Sequence, residues 1–162
     1  MAKKLKSHTD IKIILITGQK QYEQVKTAID LDEYTNIELM PYADNMPVLL
    51  NACDLVICRG GATTLFENMA TATPGIYIPY PYASADHQRK NIEYITSRGG
   101  GVMIEDSELN TDTLYEQVSN IIFDSKVRKQ MSEAAYSASV HDVLDKFYAE
   151  ILKLINKKGI KK

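Results

Sequence analysis

No tryptophan occurs in the 162 residues, cysteine occurs twice, phenylalanine three times, and neither sign of charge dominates. Two cysteines exclude a disulfide-dense small scaffold. Cys53 and Cys58 stand in a spacing that matches no zinc motif, and His8, His87 and His141 are scattered. Reduced thiols, with Cys58 in the core, no cofactor and no metal are therefore expected. No apolar run is long enough to span a bilayer, and Met1 to Asp10 is too polar for a signal peptide, which points to the cytosol. Nineteen basic residues against twenty-one acidic ones, a net charge of -2, give no global field for nucleic acid. Lysines do collect at the ends, in Lys3-Lys4-Leu5-Lys6 and from Lys157-Lys158 to Lys161-Lys162, where like charges read as solvated tails.

What is present is an ordinary globular composition, 44% hydrophobic and 25% charged, on a chain long enough for a real core. Ile11 to Thr17 is β-branched and nearly unbroken, the pattern of a buried strand. Gln21 to Ile29 has helical spacing, Ile37 to Met40 is a short strand stopped by Pro41, and Met46 to Ala52 is a short helix. Leu55 to Cys58 reads as a strand buried on both faces, followed by a helix from Ala62 to Thr71. Ile76 to Ile78 and Val102 to Ile104 are further strands. Helices are predicted over His87 to Ser97, Leu109 to Phe123, and Lys126 to Ile155 with a break near Ser137 to His141. Strands alternating with helices of this length predict an α/β fold with a parallel sheet, whose ligands bind beyond the carboxyl ends of the strands.

The loops at those ends carry the groups that can hold a ligand. Arg59-Gly60-Gly61 turns sharply from strand to helix and leaves backbone N–H groups and a positive helix end at one spot, with the Thr63 and Thr64 hydroxyls nearby. Such a turn suits a phosphate, although a two-glycine turn alone is equally a tight connection with no ligand. Glu67, one to two turns into the helix, can accept from a ribose diol. Gln88 and Asn91 share a helix face and offer carboxamides to sugar hydroxyls, or else serve only as capping groups. His87 is a candidate base or an orienting group. Together these residues describe a nucleotide-sugar site.

The order Tyr42-Ala43-Asp44-Asn45-Met46, Ala52-Cys53-Asp54 through Thr64, Glu67, Pro74, Pro79-Tyr80-Pro81, and Asp86-His87-Gln88 with Asn91 resembles the C-terminal donor domain of the MurG glycosyltransferases. The resemblance runs from about Ile11 to Ile104. It implies a Rossmann-like parallel sheet, the C-terminal half of a GT-B transferase. It further implies transfer of N-acetylglucosamine from its UDP conjugate onto lipid I to make lipid II, with inversion and no metal, at the cytoplasmic face of the inner membrane. By position, Tyr42 and Ala43 would meet uracil. Arg59, Gly60, Gly61, Ala62, Thr63 and Thr64 would face the diphosphate. Glu67 would hold ribose, and Gln88, Asn91 and His87 the sugar.

Three departures stand out. The family commonly has serine where Gly60 stands, and its acceptor domain, with the catalytic base and the lipid-facing surface, has no counterpart here. Residues 1–10 are expected to be a polar segment and 11–162 a partial donor domain. The strand and glycine-rich loop that open the family's donor domain are also missing, and in a sheet of order 3-2-1-4-5-6 that strand is central. Self-association or a partner chain is then expected to complete the sheet, and turnover alone is not. Two alternatives keep the ligand: a sugar-binding subunit of a split transferase, and a UDP-N-acetylglucosamine 2-epimerase. Against the epimerase, Phe66 and Asn68 rather than a second carboxylate flank Glu67.

Overall fold

Five short strands and eight helices alternate through residues 1–157, the part of the chain that the computed structural model describes. Their order is α1 (Ala2–Leu5), β1 (Ile13–Ile16), α2 (Tyr22–Ala28), β2 (Ile37–Met40), α3 (Met46–Ala52), β3 (Val56–Arg59), α4 (Ala62–Ala70) and β4 (Gly75–Ile78). There follow α5 (His87–Thr96), β5 (Gly101–Met103), α6 (Thr111–Ile122), α7 (Ser125–Ala138) and α8 (Val143–Lys157). The starts of three helices are set locally: Asn45 accepts from Val48 N, Asn110 and Thr113 form a reciprocal capping box, and Asp124 accepts from Lys126 and Val127 N. The predicted break in the last helical stretch falls at Ser139 to Asp142, where Asp142 takes φ of 61°. The expected basic tail at 158–162 lies outside the described residues.

All strand pairs are parallel, as expected, but they form two sheets rather than one. β1 pairs with β2, and β3, β4 and β5 pair in that order. β4, flanked on both sides, is wholly buried. The two strands expected to be buried are not. Ile16 of β1 is 36% exposed and Ile57 of β3 is 37% exposed, because each strand has a neighbour on one side only.

Two apolar clusters cover the two faces of the three-stranded sheet. On one face Ile76 and Ile78 pack with Ile104, with Val118 and Ile121 of α6, and with Leu5 of α1. On the other, Tyr77 packs with Leu65 and Met69 of α4 and Ile92 and Ile95 of α5, while α7 contributes to both clusters. Leu5 corrects the reading of the amino-terminal lysine run as a solvated tail. Its side chain is 1% exposed, and the lysines around it reach outward to Asp112 and Glu33. One apolar residue among cations thus anchors a helical turn whose charged neighbours stay in solvent.

A packing device in the second cluster explains two glycines. Gly75 and Gly101 are register partners, and the Tyr77 ring lies over both, so a Cβ would come within 2.1 Å and 2.4 Å of ring atoms respectively. Burial pushes the Tyr77 hydroxyl well above its ordinary range and the Cys58 thiol to about 11, with Asn68 donating to the Cys58 sulfur at 3.7 Å. Cys58 therefore packs against this cluster but is half-buried, short of the core position expected of it.

Candidate functional site

Parallel strands bring the loops after β3, β4 and β5 to one end of their sheet, and Gly60 is where they meet. Its N–H is held by Gln88 Oε1 at 3.2 Å, and its carbonyl accepts from Asn91 Nδ2 at 3.2 Å. The same Gln88 oxygen accepts from Tyr80 N at 3.0 Å, so α5 staples the turn after β3 to the turn after β4. Two N–H donors on one oxygen fix the orientation of the Gln88 amide. Its Nε2 and the Asn91 Oδ1 have no partner among the described residues, which leaves one donor and one acceptor at the loop ends. The capping and ligand readings of this pair are therefore compatible, one end of each amide serving the fold.

Gly60 also needs its lack of a side chain, since a Cβ would lie 2.6 Å from Ile92 Cδ1 and 2.7 Å from the Gln88 carbonyl. Gly61, by contrast, would bring a Cβ only to ordinary contact, 3.9 Å from Thr64 Oγ1, and serves as the N-cap of α4 with no side-chain cap. The N–H groups of Ala62, Thr63 and Thr64, in the first turn of this nine-residue helix, consequently have no acceptor among the described residues, and Leu65 N is the first to bond back, to Gly61 O. Together with the positive helix end they present a set of donors of the kind that suits an anion. Glu67 lies on the face continued from Thr63 and Thr64, is exposed, and makes no ion pair or side-chain hydrogen bond among the described residues.

Arg59, just before the turn, is engaged with other loops. It donates to the Pro79 carbonyl at 3.1 Å and to Asp106 at 2.5 Å, and its guanidinium sits 5.7 Å from the Tyr80 ring centre. Reading the sequence alone overlooked the second arginine. Arg89 pairs with both oxygens of Glu105, one at 2.6 Å, and with Asp86 at 3.0 Å; the Glu105 hydrogen bonds chiefly, then the charges of Glu105 and Asp86, hold it above its ordinary pKa. Glu105 and Asp106, beginning two residues after the end of β5, thus brace the β3 and β4 loops through two arginines. The signal was an acidic pair at the carboxyl end of a strand with Arg89 three residues after Asp86.

The loop before α5 holds Ala85 and Asp86 in the left-handed region, φ 51° and 54°, a conformation that costs free energy in non-glycine residues. His87 follows, exposed, with Nδ1 at 2.7 Å from the Ser84 carbonyl; because a carbonyl only accepts, Nδ1 is the donor there and Nε2 is left free to face a ligand. Tyr42 stands out from the loop after β2, on the other sheet, while Ala43 beside it is buried. The structure therefore brings Gly60, Gln88 and Asn91 into contact, sets Gly61 to Thr64 and Glu67 beside them, and carries Tyr42 and Ala43 on a separate sheet. Two cavities, of about 490 and 350 Å³, lie elsewhere, beside β5 and α6 and at the amino ends of β3 and β4. Among the described residues no cluster of metal-ligating side chains occurs.

These parallel strands, with an uncapped helix start at their carboxyl ends, have the fold of the C-terminal half of a GT-B glycosyltransferase. A crystal structure of Acinetobacter baumannii MurG superposes with TM-score 0.75 at 21% identity, covering 96% of this chain and 48% of that one. The glycosyltransferase VinC, solved in complex with DTDP, superposes with TM-score 0.71 at 16% identity over 95% of this chain and 36% of that one. The chain belongs to the glycosyltransferase family 28 C-terminal domain family, whose model matches residues 1–147. A relative from Alkaliphilus metalliredigens (strain QYMF), 36% identical over 93% of this chain, is named UDP-N-acetylglucosamine--N-acetylmuramyl-(pentapeptide) pyrophosphoryl-undecaprenol N-acetylglucosamine transferase. One of the same name from Acetivibrio thermocellus (strain ATCC 27405) is 34% identical over 97% of the chain. Each match takes in 42% of the relative, so the chain spans less than half of these transferases. The resemblance read from the sequence is borne out at the level of family and fold.

Proposed function

We propose that this domain is the UDP-N-acetylglucosamine-binding portion of an inverting N-acetylglucosaminyltransferase that makes lipid II from lipid I in peptidoglycan synthesis, at the cytoplasmic face of the membrane. The carrying observation is the uncapped first turn of α4 beside the Gly60, Gln88 and Asn91 cluster. The donor diphosphate accepts from the N–H groups of Gly61 to Thr64 and the two threonine hydroxyls. Glu67 accepts from the ribose diol, and the Tyr42-Ala43 loop borders the uracil. Gln88 Nε2 and Asn91 Oδ1 read the sugar hydroxyls, with His87 Nε2 beside them. As the acceptor oxygen bonds to the anomeric carbon from the opposite face, the bond to the diphosphate breaks. The negative charge that develops on the leaving UDP falls on the α4 start. The proton released by the acceptor hydroxyl goes to a base on an acceptor-binding portion outside these residues, so the domain alone binds the donor without turnover.

Titration calorimetry with UDP and with UDP-N-acetylglucosamine tests this reading. Saturable heat is expected from both ligands, and Glu67→Ala is expected to weaken binding about ten- to a hundredfold, the effect of removing a charge-assisted pair of hydrogen bonds. No heat from either ligand, or an unchanged affinity in Glu67→Ala, overturns the site assignment.

A further inference from the structure

Two consecutive residues in the loop before α5 hold a conformation that their residue types disfavour. Among the described residues four non-glycine positions have positive φ, and only Ala85 and Asp86 are adjacent. Each costs free energy there unless its surroundings hold it in place. Asp86 is also an unusual helix start. As the N-cap of α5 its carboxylate would ordinarily accept from the first helical N–H groups, yet it makes no such bond and is turned instead to Arg89 Nε at 3.0 Å.

Arg89 carries that hold across to the sheet. Its guanidinium meets both oxygens of Glu105, two residues after β5, in the two-pronged geometry that a planar fork and a carboxylate share. Both side chains are half-buried, so salt and solvent weaken the pair less than a fully exposed one. Asp86, Arg89 and Glu105 therefore close a clasp on the first turn of α5 from the strand that α5 leads into. Gln88 stands within the clasp in sequence, and Asn91 follows one turn on. The bonds of Gln88 Oε1 to Gly60 N and Tyr80 N, and of Asn91 Nδ2 to Gly60 O, then fix where the remaining end of each amide lies. A shift of this turn would move those ends, while α4 stays packed on Tyr77 through Leu65 and Met69.

We infer, resting on the donor reading proposed above, that Arg89 and Glu105 are positioning residues for selection of the donor's sugar. With Asp86 they hold the left-handed loop wound, so that the Gln88 and Asn91 amides meet the sugar, and they act only through those residues. Lysine in place of Arg89 keeps the charge and loses the fork, which opens the clasp. Ala85→Gly acts from the other side, since glycine takes positive φ at no steric cost and needs less to hold it. The two changes therefore compensate each other.

Titration calorimetry of the whole 162-residue protein with UDP and with UDP-N-acetylglucosamine reads the ratio of the two affinities. In Arg89→Lys and in Glu105→Gln that ratio is expected to move about tenfold towards UDP relative to the parent, the scale of one or two lost hydrogen bonds to the sugar, with UDP itself weakened less than about threefold. Adding Ala85→Gly to Arg89→Lys should bring the ratio back to within about threefold of the parent's, as coupled neighbours do. NMR shifts of Asp86 and of the Gln88 side-chain amide give a second reading without ligand. They should move in Arg89→Lys and return in the double variant, while those of Ile76 and Tyr77 in the core stay in place and report that each variant is folded. An unchanged ratio, or equal weakening of both ligands, overturns the inference and leaves the donor reading standing. A ratio that moves and is not restored by Ala85→Gly also overturns it, because the effect then does not run through the loop. No heat from the parent with either ligand overturns the donor reading and the sugar role with it, and the shifts then show whether the clasp holds the loop.

Discussion

Ile76 and Ile16 are the same side chain on parallel strands of equal length, yet one is fully buried and the other more than a third exposed. The difference follows from what lies beside each strand. β4 has a strand on each side and a helix layer on each face, and the Tyr77 ring fills the space over Gly75 and Gly101. β1 has one neighbour. The proposed diphosphate and sugar contacts are built on the first region, where the backbone is held by packing and by the arginine braces. The loop assigned to uracil hangs from the second. The proposed diphosphate surface is thus on a rigid frame, while the proposed uracil end rests on a sheet with an open edge.

The largest test of this contrast is a pair of truncations read by urea denaturation. Ile76→Ala should cost about 3 to 4 kcal/mol, because the cavity it leaves is closed on all sides. Ile16→Ala should cost about 1 kcal/mol or less, since solvent already meets the side chain. Equal costs would mean that β1 is packed as tightly as β4.

Next in size is Gly60→Ser, which restores the residue the MurG transferases commonly carry. Ile92 and the Gln88 carbonyl occupy the space a Cβ needs, so the substitution should cost about 1 to 3 kcal/mol by overpacking and weaken donor binding as α5 moves off the turn. A melting temperature equal to that of the parent would show that α5 gives way freely, and the stapled turn would lose its role.

The smallest expected effect concerns the Leu5 anchor. Lys4 hydrogen-bonds and attracts Asp112, holding that carboxyl below its ordinary pKa. A depressed carboxylate contributes stability above its unfolded pKa of about 3.9 and loses it as pH falls through the lower folded value. Protection of the Leu5 amide, bonded to Met1 O, should therefore decline as the solution is taken below pH of about 4, and added salt should reduce the effect. Equal protection at pH 3 and pH 7, corrected for intrinsic exchange, would show that Leu5 burial alone holds α1.

Much of the fold is legible in the chain because its signals are local. Ile37 to Met40 and Met46 to Ala52 match their predicted bounds, and β4 and α5 fall within a residue of theirs. The glycine turn, Glu67, Gln88 and Asn91 are also legible as a set, since a strand, a turn and two helix starts fix which side chains share one end of a parallel sheet. The partners of Arg59 were not legible, because sequence adjacency to Gly60 does not say that a long side chain pairs with Asp106, distant in the chain. Arg89 and Glu105 went unread for the same reason.

The sequence by itself determined the alternation of strands and helices, the position of the glycine turn and the family to which the domain belongs, because period, glycine placement and capping act within a few residues. Only the tertiary structure decided that the strands divide into two sheets, that Leu5 is core rather than tail, and that Gln88 and Asn91 each give one end of an amide to Gly60 and keep the other. Those outcomes depend on which edges find partners and which groups converge across the chain, and no local pattern of residues encodes that.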